Sequence, residues 1–161
     1  MMKQTTIDIV KATTPVVKEY GTQITQRMYE IAFEERPDIR RFFENTWMKD
    51  IEAGRKQARK LAASVYAYAQ HIDQLDELSK AVERIAHVHV NSKILPETYP
   101  VIGECLIAAM KDVLGEAATP EILEAWTEAY GALADIFIQR EQEIYKQEDG
   151  QMFSPKKAAT H

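Results

Sequence analysis

The stretch WTEAYGALADIFIQREQEI, residues 126–144, places Trp126, Tyr130, Leu133, Phe137, Glu141 and Ile144 at intervals of three and four. That spacing is one face of an α-helix. Ahead of it, Thr119-Pro120-Glu121 supplies a cap, a proline at the first helical position and an acid near the positive end of the helix dipole. The helix is expected to run to about Gln147. One member of its stripe is a carboxylate. Desolvating a charge without a partner is costly, so Glu141 sits either at an exposed helix end or inside, against a partner.

The same periodicity recurs upstream, and no period-2 alternation marks a strand. A first helix is expected from about Thr6 to Tyr20, kinked by Pro15 and broken by Gly21, with Thr22 capping a second that runs to about Arg36. Pro37 opens a short third piece ending at Phe42-Phe43, and residues 44–52, with Trp47 and Met48, read as a loop. A fourth helix, about Ala53 to Ile72, aligns Gln57, Leu61, Val65, Tyr68 and Ile72. A fifth, about Leu75 to Asn91, aligns Leu78, Val82, Ile85 and His89. A sixth opens at Pro96, carries Tyr99, Ile102, Leu106, Ala109 and Val113, and stops at Gly115. The expected architecture is all-α: one domain over residues 1–147 and a polar C-terminal tail over 148–161.

Composition narrows the function classes. The 161 residues are 45% hydrophobic and 28% charged, which suits a globular chain with a real core. A net charge of −5, with no extended basic block, argues against nucleic acid or an anionic membrane as the main partner. Cys105 is the only cysteine, so neither a disulfide frame nor a thiolate cluster is available. No apolar run reaches membrane-spanning length and the N-terminus does not open like a signal peptide, so the cytoplasm is the expected location.

Five helical stripes are interrupted by polar residues: Tyr29, Gln57, His89, Tyr99 and Glu141. His87 and His89 lie about 200° apart around a helix. Val82 and Ile85 lead to His89, which therefore points inward, while His87 points to solvent. Taken singly, each exception has a bland reading: a core histidine bonded to a carbonyl, a tyrosine hydroxyl doing the same, an amide or carboxylate at an exposed helix end. Taken together they fit one chemistry. An axial imidazole needs an acceptor on its second ring nitrogen to fix the tautomer and raise its basicity, and a glutamate or tyrosine provides it. A tyrosine hydroxyl and a glutamine amide on the opposite face of a planar cofactor would donate to a bound gas. That is the design of a haem pocket.

The chain resembles the single-domain bacterial haemoglobins of the Vitreoscilla type and the globin domain of flavohaemoglobins. The resemblance is carried by Ile9-Val10-Lys11-Ala12 with Pro15-Val16-Val17, Pro37 to Phe43, Leu61 with Tyr68-Ala69 and Ile72, Ile85 to Val90, Pro96 with Tyr99 to Gly103, and Ala125-Trp126 through Tyr145. It implies a globin fold with haem b between the fourth and fifth helices. It further implies His89 as the iron ligand, Tyr99 and Glu141 as its hydrogen-bonding partners, Tyr29 and Gln57 on the gas-binding side, Leu61 over the ligand and Phe43 against the porphyrin. The stretch between Phe43 and Gln57 is roughly four residues longer than the family pattern, and Ala58 stands where proline is commoner. With 16 residues after Tyr145, the flavin- and nicotinamide-binding domains of flavohaemoglobins are not expected here.

The expected function is dioxygen binding with conversion of nitric oxide to nitrate, dependent on a separate reductase. The alternative is reversible oxygen storage or delivery to a respiratory oxidase, which uses the same pocket. A gas sensor would need a signalling domain. A homodimer is compatible with the sequence, which does not give the oligomeric state.

Overall fold

The computed structural model describes residues 2–40, 51–91, 94 and 96–152. Phe43, Trp47 and Met48 lie outside these. The described residues form helices α1 (Gln4–Glu35), α2 (Pro37–Arg40), α3 (Ile51–Gln70), α4 (Ser79–Asn91), α5 (Thr98–Leu114) and α6 (Pro120–Met152), and no strand occurs among them. Short 3-10 turns at Leu75–Leu78 and Gly115–Ala117 lead into α4 and out of α5. None of the helices is long and apolar enough to cross a membrane.

The two helices expected before residue 36 are one, α1. Pro15 is tolerated because it lies on the exposed side of the helix, where water can serve the carbonyl its missing N–H leaves behind. Gly21 is buried, and a Cβ there would stand 3.3 Å from the Cβ of Ala62. The glycine is therefore the point where α3 crosses close to α1, not a break. At the same crossing Thr25 donates from its hydroxyl to the carbonyl of Ala58 at 2.8 Å, and both residues are almost fully buried. The fifth expected helix, by contrast, is divided: the 3-10 turn Leu75–Leu78 precedes α4. At the other end α6 continues past Gln147 to Met152, while α5 stops where expected, at Gly115, whose φ of 58° suits glycine.

Two cores result. The larger joins α1, α3, α5 and the first half of α6 around Met28, Leu106, Met110 and Trp126. The Trp126 indole donates to the Thr13 hydroxyl at 2.8 Å, and the Tyr68 hydroxyl to the Ala129 carbonyl at 2.7 Å. The smaller core joins α4, the start of α5 and the second half of α6 through Ala86, Val90, Tyr99, Ala134, Phe137 and Ile144. Tyr130 and Leu133 pack against both. Helix α3 packs on α1 and α4 packs on α6, rather than on each other.

Candidate functional site

Three of the polar exceptions meet in the smaller core. His89 lies in the last turn of α4, Tyr99 in the first turn of α5, and Glu141 well along α6. Glu141 is 3% and Tyr99 9% exposed, so the carboxylate's partners must be protein groups. They are: the Tyr99 hydroxyl lies 2.9 and 2.7 Å from Glu141 Oε1 and Oε2, and His89 Nδ1 lies 2.9 Å from Oε2. His89 Nδ1 is also 2.8 Å from the Tyr99 hydroxyl. A carboxylate only accepts, so the tyrosine proton points to Glu141 and the Nδ1 proton points to the Glu141–Tyr99 pair. That fixes the imidazole tautomer and leaves the Nε2 lone pair available, with no protein partner among the described residues. Burial, reinforced by the bond to Glu141, drives the Tyr99 hydroxyl far above the usual phenolic range, so it stays a donor.

The packing holds this arrangement still. Phe137 lies 5.7 Å from the His89 ring and stacks on Tyr99 with centroids 6.4 Å apart. The Tyr130 hydroxyl donates to the Tyr99 carbonyl at 2.7 Å. Its ring lies against Gly103, where a Cβ would come within 2.5 Å of it. Gly103→Ala is therefore expected to destabilise the fold by about 1–3 kcal/mol, as overpacking does, and to displace Tyr130 from Tyr99. Urea unfolding checks the first effect; unchanged stability would mean that the ring moves aside freely. His87 is exposed and bonds Glu83 at 3.0 Å, as a solvent-facing histidine can.

The other set lies across the α1–α3 crossing. Tyr29 is 5% exposed in the larger core, its ring 5.9 Å from that of Phe33, and burial raises its hydroxyl pKa so that it too remains a donor. Leu61 packs against the same core. Gln57 carries a buried Oε1 with no hydrogen-bond partner among the described residues, an arrangement that needs an explanation. Ala58, beside it, is fully buried and offers its carbonyl to Thr25. Phe43 falls outside the described residues.

Sequence reading missed one further piece. Arg140, next to Glu141, forks onto Glu83 of α4, Nε to Oε2 and Nη2 to Oε1, both at 2.6 Å. The guanidinium holds the Glu83 carboxyl down at about 2, with His87 a lesser contributor. The spacing of Glu83 and Arg140 carries no signal, because they lie on different helices.

An all-helical fold with one histidine held on its Nδ1 side by a buried carboxylate and phenol, and a second polar set on the α1–α3 side, has the build of a globin. The chain belongs to the globin family, whose model, described as Globin, matches residues 26–137. It is 46% identical over 146 residues to a flavohemoprotein of Halalkalibacterium halodurans, covering 91% of this chain and 34% of that relative. The chain thus spans about a third of the length of such relatives. Among solved structures it is similar to an engineered carbene transferase made from a Rhodothermus marinus protein assigned as a nitric oxide dioxygenase, with a TM-score of 0.82 and 30% identity over 92% of this chain and 99% of that one. A flavohemoglobin of Malassezia yamatoensis with bound FAD and heme superposes with a TM-score of 0.78 at 32% identity, covering 90% of this chain and 38% of that one.

Proposed function

We propose that this chain binds haem b through His89 Nε2 and uses it to convert nitric oxide and dioxygen to nitrate, with electrons from a separate reductase. The observation that carries the reading is the hydrogen-bonded set His89–Tyr99–Glu141. The residues present fit the group. His89 offers its Nε2, which has no protein partner among the described residues, α3 and α4 pack on different neighbours, and Gln57 Oε1 is a buried polar atom without a hydrogen-bond partner among those residues. With a single cysteine, 3% exposed, the chain has no pair for thioether attachment, which favours non-covalent haem b.

Haem, when bound, supplies the iron that takes up a diatomic gas and exchanges an electron. The protein's part is electrostatic. Glu141 pulls on the Nδ1 proton and makes the imidazole a stronger donor at Nε2, while Tyr99 fixes the carboxylate's orientation. An imidazole made more electron-rich in this way would favour oxygen activation at a bound iron. On the other side Tyr29 and the Gln57 amide, whose two ends exchange by a half-turn, would offer protons to a ligand that carries partial negative charge.

The test is direct. The haem-loaded protein, supplied with a reductase, dioxygen and nitric oxide, is expected to form nitrate; no Soret band on haem addition would end the reading at its first step. Fast oxygen release with negligible nitrate would favour the storage or delivery alternative. Tyr29→Phe is expected to speed dioxygen release by ~10-fold or more, the worth of one strong hydrogen bond, measured by stopped flow. An unchanged rate would remove Tyr29 from the ligand's surroundings.

A further inference from the structure

The contact between α4 and α6 brings His89 to Glu141, and most of it is apolar: Ala86 and Val90 against Ala134, Phe137 and Ile144. Apolar packing is non-directional. By itself it does not specify a position along the helix axis to the few tenths of an ångström that a hydrogen bond demands. The Glu83–Arg140 fork is different in kind. Its two bonds fix the carboxylate in the guanidinium plane, so they fix α6 against α4 in both translation and rotation. A third bond, Arg140 Nη1 to Glu143 at 3.0 Å, holds the guanidinium from its own helix, and His87 bonds Glu83 from the other. Arg140 is the neighbour of Glu141 in sequence, and Glu83 lies less than two helical turns before His89.

We infer that Arg140 and Glu83 are positioning residues, which set the register of α6 on α4 and thereby the bonds that Glu141 makes to His89 Nδ1 and the Tyr99 hydroxyl. The pair touches neither His89 nor any reacting atom. Its side chains are 27% and 44% exposed, so its contribution to global stability is modest. Its value is geometric. The inference about His89 stands on these distances, and its bearing on turnover rests on the function proposed above.

The experiment compares Arg140→Lys, Arg140→Ala and Glu83→Gln with Glu141→Gln, which removes the carboxylate outright. Two readouts are used: the His89 Nδ1–H proton resonance in the full chain without haem, and the iron–histidine stretch in resonance Raman spectra of the haem-loaded ferrous protein. In all three variants both signals are expected to move most of the way toward their Glu141→Gln positions. Lysine keeps the charge but loses the fork. Arg140→Lys signals at wild-type positions would therefore overturn the inference in favour of a plain charge effect. Lys11→Ala, which breaks the ion pair with Asp73 elsewhere on the surface, serves as the control. It is expected to leave both signals in place, and if it moves them as far as Arg140→Lys does, the inference also fails. Should Arg140→Ala not fold, the lysine and glutamine variants carry the test. A chain that takes up no haem would defeat the proposed function and silence the Raman signal, while the proton resonance would still read the register.

Discussion

His89→Ala is expected to abolish the Soret spectrum of a histidine-ligated haem and all nitric oxide turnover. The other described histidines cannot take its place. His87 points outward onto Glu83, and His71, at the far end of α3, is held at Nδ1 by the carbonyl of Ala67, with Glu77 3.4 Å from its Nε2. Truncation also leaves the buried Glu141 carboxylate with Tyr99 as its remaining polar partner among the described residues, at a cost in desolvation. Added imidazole should restore part of the spectrum, because the apolar packing of Phe137, Val90 and Ile85 remains. Absorption spectroscopy of the variant with and without imidazole measures this. A His89→Ala protein with the wild-type spectrum would mean that another group holds the iron.

Glu141→Gln should separate ligation from activation. The amide is nearly isosteric, so haem uptake is expected to persist. Its NH2 end, however, cannot accept from Tyr99 or from His89 Nδ1, and its carbonyl carries no net charge. Loss of such a partner behind a ligating histidine typically lowers activity by about 10–100-fold, and that is the expected fall in nitrate formation with reductase in excess. Tyr99→Phe should be milder, because Glu141 still accepts the Nδ1 proton directly at 2.9 Å. Turnover that is unchanged in Glu141→Gln would mean that the carboxylate serves the fold alone.

The class of fold was open to reading because each helix announces its own buried face. Val82, Ile85 and His89 repeat at the helical period, and so do the six residues from Trp126 to Ile144. That rule also separates His89 from His87 without any tertiary knowledge. It reveals which side chains turn inward, but not which ones meet. His89 and Glu141 are 52 positions apart, and their encounter depends on how α4 lies on α6. Gly21 reads as a break for a related reason: a glycine beneath a helix crossing and a glycine at a helix end look alike in sequence until the neighbour, Ala62, is known. Arg140 and Glu83 read as ordinary solvent-facing charges. Nor does sequence disclose that Gln57 buries an oxygen with no partner among the described residues, since burial is a property of the assembled helices.

The uneven division of the molecule into two cores has a further consequence. Helix α1 is clasped by α3, α5 and α6, whereas α4 rests on α6 and the short turn before it. Cooperative opening in proteins follows such boundaries, and the weakly clasped element opens at the smallest free energy. Amide hydrogens of α4 should accordingly exchange with solvent well before those of α1. The helix that carries His89 is thus expected to loosen before α1 does, so the surroundings of this imidazole can open and close while the main core stays folded.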